Sequence, residues 1–198
     1  MSEAMSEKAS PFRSLHQRNV RVYFVGLLLS NVGTWLQFTA TSLLIYQINN
    51  RATDAGWNTM FQFLPMLLLG AWAGGFADRH DRRTITLWTQ FALLIQAVLL
   101  AVADFGGFAT LPMIYTLSLI LGVANAIDNP SRRGLVTELV EPAEISNAMS
   151  LNTTVMTGSR VFGPALAALL IGPLGTAWLF AMNAVSYVAV IASILMLR

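Results

Sequence analysis

Ten consecutive residues constrain this chain more than any others: Gly74-Gly75-Phe76-Ala77-Asp78-Arg79-His80-Asp81-Arg82-Arg83. Asp78, Arg79, Asp81, Arg82 and Arg83 crowd formal charge together, and each flank is an apolar stretch long enough to cross the ~30 Å hydrocarbon core of a bilayer. Such charges cannot lie in hydrocarbon, where each unpaired one is costly. The segment reads as a tight, water-facing loop between two membrane spans. Its arginines assign the side, because Lys and Arg concentrate on the cytoplasmic face.

Composition agrees. The 198 residues are 55% hydrophobic and 11% charged, against about 25% charged in a soluble domain, so lipid is the main solvent. The net charge is +2, with no basic stripe interleaved with aromatics, which argues against a nucleic-acid partner. The chain has no cysteine, which excludes disulfides, thiolate metal sites and cysteine nucleophiles. His16 and His80 fall in cytoplasmic segments, and the spans hold no clustered carboxylates, so neither a metal site nor a cofactor is expected. No phosphate-binding glycine loop and no nucleophile elbow occur, so the chain does not read as an enzyme. The first apolar run is longer than a signal-peptide core, so no removed targeting segment is read.

Counting outward from the charged loop gives six spans, at about 22–48, 56–77, 84–103, 111–127, 146–171 and 174–197, after a cytoplasmic tail over 1–21. Asn49-Asn50-Arg51 and Asp104-Phe105-Gly106-Gly107 form outer turns. Thr110 is the expected N-cap of helix 4, which should stop before Pro130 because the residue preceding a proline disfavours the helical region. The longest internal loop then runs from Asp128 to Ile145, and Gly172-Pro173 should break helix 5. Of twelve Lys and Arg residues, Arg51 lies outside and Arg160 within helix 5; the rest, including Lys8 and Arg13, lie inside with both termini.

Two helices carry polar stripes. Helix 1 places Ser30, Asn31, Thr34, Gln37 and Thr41 at spacings of three and four, and helix 5 does so with Asn152, Thr153, Met156, Thr157 and Arg160. Interhelical hydrogen bonding and the lining of a substrate passage both account for such faces. Arg160 reads as the one charge deep in a span. It should face the interior, where it either bridges to backbone carbonyls or a carboxylate of another helix, binds an anionic substrate group or takes part in ion coupling. Gly158, Gly163 and Pro164 suit tight packing or a flexing point.

The charged loop resembles the signature loop of the major facilitator superfamily, with Asp81 where that signature has glycine. The pattern Asp-Arg-x-Asp-Arg-Arg resembles the branch of enterobactin exporters and macrolide-efflux-like proteins. Three further stretches look like that branch: Ser30 to Gln37, Asp128 to Arg133, and Asn147 to Asn152 leading to Arg160-Val161-Phe162-Gly163-Pro164. The resemblance implies an all-α integral membrane protein, a six-helix bundle forming the N-terminal half of a twelve-helix transporter that works by alternating access. It implies a gating role for Gly74, Asp78, Arg79, Arg82 and Arg83, and membrane lipids and a small-molecule substrate as partners. The passage residues would be Asn31, Thr34, Gln37, Asn152, Thr157 and Arg160. The arginine that drug–proton antiporters carry in helix 4 has no counterpart between Ser118 and Asn125.

The expected function is efflux of a siderophore or amphiphilic drug-like compound across a bacterial inner membrane, by an ion-driven antiporter. Because the family continues into six more helices, a missing C-terminal half or a second copy of the chain is the expected partner. The competing readings are a non-transporting membrane interaction or regulatory protein and a homodimer of halves.

Overall fold

The computed structural model describes residues 17–196, so Lys8, Arg13, His16, Leu197 and Arg198 lie outside it. Six helices follow one another: α1 (Arg18–Asn49), α2 (Ala52–Arg79), α3 (Arg82–Phe105), α4 (Leu111–Glu138), α5 (Ile145–Leu174) and α6 (Thr176–Leu195). A 3-10 turn, Pro142–Glu144, leads into α5. Helices α2 to α6 are each long and apolar enough to cross a membrane.

Helix α1 has 32 residues, but serine, threonine, asparagine and glutamine interrupt its apolar run. Its hydroxyls turn back on the helix: Thr34 Oγ1 donates to Ser30 O at 2.9 Å, Thr39 Oγ1 to Trp35 O at 3.0 Å and Ser42 Oγ to Phe38 O at 3.0 Å. These local bonds let a polar helix pack without stranding its donors.

Helices α1 and α2 start about four residues earlier than the sequence expectation, and two helices run through prolines expected to stop them. Helix α4 does not stop at 127 but passes through Pro130 to Glu138. Ser131 Oγ donates to Ile127 O at 2.9 Å in the turn that the proline disturbs. Leu135 and Val136 then pack with Val20, Tyr23, Phe24 and Leu27 of α1. That packing outweighs the one backbone bond which proline removes. Helix α5 likewise retains Pro164 and Pro173 and runs to Leu174, with Gly175 as its C-cap, rather than breaking at Gly172. Gly175 has φ +79°, a left-handed conformation that glycine adopts without strain, and α6 starts at the next residue. Thr110 occupies the N-cap position of α4, but its side chain makes no capping bond.

Apart from α3 and α4, sequence neighbours are not the main spatial neighbours. Helix α2 packs on α4, α1 on α6 and α5, and α3 on α4 and α6, while α2 barely touches α3. Gly122 explains the α2–α4 contact: a Cβ there would collide with the Gln62 carbonyl. Between lipid-bathed helices, close packing and hydrogen bonds supply the attraction, since lipid is as apolar as the core. Two apolar clusters hold the ends of the bundle, one around Tyr23 and Ile194 and the other around Ile45, Ile114 and Phe180. Helices α2 and α5 have the smallest buried share. With α1 and α4 they wall one side of the bundle, where a polar cavity opens.

Candidate substrate passage and loop network

The cavity measures about 130 Å³. Asn31, Thr34 and Trp35 of α1 line it, facing Asp128 and Arg132 of α4 and Arg160 of α5. Thr34 Oγ1 lies 3.2 Å from the Tyr187 hydroxyl, which closes the cavity from α6. The Arg160 guanidinium carbon stands 5.4 Å from the centre of the Trp35 ring. Trp35 meets Phe38 edge-on at 5.5 Å, and Phe38 meets Phe63 of α2 at 6.4 Å, which extends an aromatic wall across two helices.

Helix α5 holds Arg160 over Trp35 through Gly163. A Cβ on Gly163 would collide with the Trp35 Cβ, so this close approach requires glycine. Gly158 meets nothing nearer than the Phe162 ring of its own helix, at 4.0 Å, so it makes no close packing contact in this bundle.

The structure thus brings together Asn31, Thr34 and Arg160 and leaves Gln37, Asn152 and Thr157 outside the cavity lining. At ~100° per residue, Gln37 sits about 120° around α1 from Asn31. It is buried, accepting from Asn183 Nδ2 at 2.7 Å and donating to Gln96 Oε1 at 2.9 Å. Asn152 is buried too, its Nδ2 3.7 Å from Met156 Sδ. Thr157 is exposed and does not line the cavity.

Asp128 and Arg132 are the residues that sequence reasoning missed. Pro130 suggested a helix end and put both in a water-facing loop. With α4 continuous, they lie four residues apart on one face, Arg132 Nε 2.6 Å from Asp128 Oδ2. Thr89 Oγ1 donates to Asp128 Oδ1 at 2.6 Å and Gln90 Nε2 to Oδ2 at 3.1 Å, both from α3. Arg160 is therefore not the lone charge within the bundle. The acid–base spacing of four was the available signal, and it outlasts the proline.

The charged loop is shorter than its sequence suggests. Gly74 to Arg79 belong to α2, leaving His80 and Asp81 as the connection. Arg82 pairs with Asp78 at 3.2 Å and with Glu138 at 3.1 Å, joining α2, α3 and α4. It reaches Glu138 across Gly134, where a Cβ would strike its side chain. Arg83 Nη2 donates to Leu195 O at 3.3 Å, placing a cation at the carboxyl end of α6, where the helix dipole favours it. Arg79 is exposed. Asp81 caps α3, accepting from Thr84 N at 2.8 Å. Hydrogen bonds from the Thr84 side chain and backbone hold its carboxyl below the usual carboxylate range. Exposed pairs of this kind contribute ~0–1 kcal/mol each, so the network orients helix ends more than it stabilises them.

Residues 9–198 match the sequence model of a family described as transmembrane secretion effectors within the major facilitator superfamily. The chain belongs to the major facilitator superfamily. It is 26% identical over 170 residues to the uncharacterized MFS-type transporter YfiS of Bacillus subtilis, covering 85% of this chain and 40% of that protein. It is 22% identical over 170 residues to the staphyloferrin A transporter of Staphylococcus aureus, covering 84% of this chain and 42% of that protein. Macrolide efflux protein A of Enterococcus faecalis is 26% identical over 114 residues, covering 57% of this chain and 35% of that protein. The chain thus spans about two fifths of the length of the first two relatives. This member of the superfamily is a multi-pass membrane protein.

Proposed function

We propose that this chain forms the N-terminal half of a secondary active efflux transporter that works by alternating access and exports a siderophore or an amphiphilic drug-like compound. The observation that carries the reading is the polar cavity between α1, α2, α4 and α5, with Arg160 on its wall, in a chain that spans about two fifths of YfiS and of the staphyloferrin A transporter. A transporter of this superfamily binds between two halves that rock about a central site. The wall carrying Asn31, Thr34 and Arg160 is the face a second half would cover, supplied by six further helices or by a second copy. The Asp78–Arg82–Glu138 network sits at one end of the bundle, where it would brace the cytoplasmic gate. Both termini face the cytoplasm of a bacterial cell, and an ion gradient drives antiport across the inner membrane.

Export from cells expressing the whole gene product tests this, with a fluorescent amphiphile as cargo. Arg160→Ala should abolish export while leaving the amount of protein in the membrane unchanged. Undiminished export by Arg160→Ala would remove Arg160 from the passage. A wild-type product that exports nothing would favour a non-transporting membrane role.

A further inference from the structure

We infer that the cavity selects a ligand with one carboxylate beside an aromatic or apolar body, a substrate class that deepens the transport reading and rests on it for its biological use. Three charged side chains line the cavity: Asp128, Arg132 and Arg160. Asp128 is fully buried and already engaged by Arg132, Thr89 and Gln90, so it has little capacity left for a ligand. Its charge and that of Arg132 cancel locally. Arg160 is different. Among the described residues, no carboxylate lies within ion-pair distance of it. Its neighbour is the Trp35 ring, whose quadrupole attracts a cation without cancelling its charge.

One uncompensated positive charge therefore faces the cavity. Arg160 is exposed on the cavity wall, so its guanidinium is accessible to an entering ligand. A cation entering here would meet Arg160 and find Asp128 occupied. An anion would meet a planar guanidinium fork, whose geometry matches a carboxylate bidentately. The aromatic wall of Trp35, Phe38 and Phe63 adjoins that fork, so the body attached to the anion lies against rings. Gly163 fixes the distance between Arg160 and this wall by letting α5 rest on Trp35.

Calorimetric titration of the 198-residue chain in zwitterionic lipid nanodiscs tests the inference. The probes are 4-phenylbutyrate, 4-phenylbutanol and 4-phenylbutylammonium, which share one body and differ in charge, with empty nanodiscs as the partition control. The carboxylate should bind about tenfold or more tighter than the alcohol, and the ammonium most weakly. Arg160→Gln should reduce carboxylate binding to the level of the alcohol and leave the alcohol unchanged. Equal affinities in the wild type, or a preference that survives Arg160→Gln, would overturn the inference. So would loss of the preference when phosphatidylglycerol is added to the nanodiscs, which would assign the site to a lipid headgroup. Asp128→Asn supplies an independent variant: by freeing Arg132 it should shift preference toward the dianion phenylsuccinate, and an unshifted preference in folded protein would contradict the charge balance. Export of 4-phenylbutyrate from vesicles holding the whole gene product separates the two levels. Charge-selective binding without export refutes the transport reading alone, and export without charge selection refutes the inference alone.

Discussion

Arg132 Nε stands 2.6 Å from Asp128 Oδ2, one turn apart on α4, with the side chain of Asp128 only 3% exposed and that of Arg132 12%. Removing one member of a buried pair leaves an uncompensated charge, which costs about 3–5 kcal/mol. Arg132→Met alone should therefore lower the thermal midpoint of the chain in nanodiscs sharply. The double variant Asp128→Asn/Arg132→Met should recover much of the loss, because no unpaired charge remains. A double variant as damaged as the sum of its parts would show that the pair does not act as a unit.

Gln37 is predicted to matter for stability and not for binding. Its amide links Gln96 of α3 to Asn183 of α6 in the interior. Gln37→Ala strands both partners, at roughly 1–3 kcal/mol for each unsatisfied group. Unfolding should shift to lower temperature while 4-phenylbutyrate affinity stays at the wild-type value. Loss of affinity at unchanged stability would return Gln37 to the passage.

Gly122 and Gly74 should respond in opposite ways to a larger side chain. A Cβ on Gly122 meets the Gln62 carbonyl, whereas Gly74 has open space around it. Gly122→Val should destabilise the chain by about 1–3 kcal/mol, the usual cost of overpacking a close contact. Gly74→Ala should leave the unfolding midpoint of this chain unchanged or slightly raised. The pair of midpoints checks both statements in one experiment.

Asp81 gives a pH dependence with a definite sign. Thr84 holds its carboxyl below the usual carboxylate range. The stabilisation is complete above the unfolded value near ~4 and is lost as the pH falls through the lower folded value. Asp81→Ala should cost about 1 kcal/mol at neutral pH through the lost helix cap. The gap between wild type and variant should stay constant at higher pH and close on acidification. Unfolding midpoints measured across the acid range report this directly.

Much of the architecture was legible because hydropathy and charge act along the chain. The apolar runs gave the helices, and the charged decapeptide gave the α2–α3 connection. Arg160 was legible for the same reason, as a charge among apolar residues. What escaped depends on contacts between helices. Pro130 hid the Asp128–Arg132 pair, because a local rule about proline was overridden by Leu135 and Val136 packing against α1. Gln37 was grouped with Asn31 because steps of three link both to Thr34, but two such steps at ~100° per residue carry Gln37 about 120° around the helix from Asn31. The close approaches at Gly122, Gly134 and Gly163 involve side chains or carbonyls of other helices, which spacing alone does not reveal.

The central claim is that the cavity between α1, α2, α4 and α5 is a water-filled passage. These 198 residues hold no cysteine, so single substitutions in them report without background from this chain. Asn31→Cys lines the cavity, while Trp88→Cys lies on α3 away from it, at a residue 71% exposed on the outer face of the bundle. The decisive measurement is the labelling of each by a membrane-impermeant methanethiosulfonate, applied to either side of the membrane. The account predicts that Asn31→Cys reacts and Trp88→Cys does not, with the reactive side changing when substrate is present. An Asn31→Cys as silent as Trp88→Cys from both sides would contradict it.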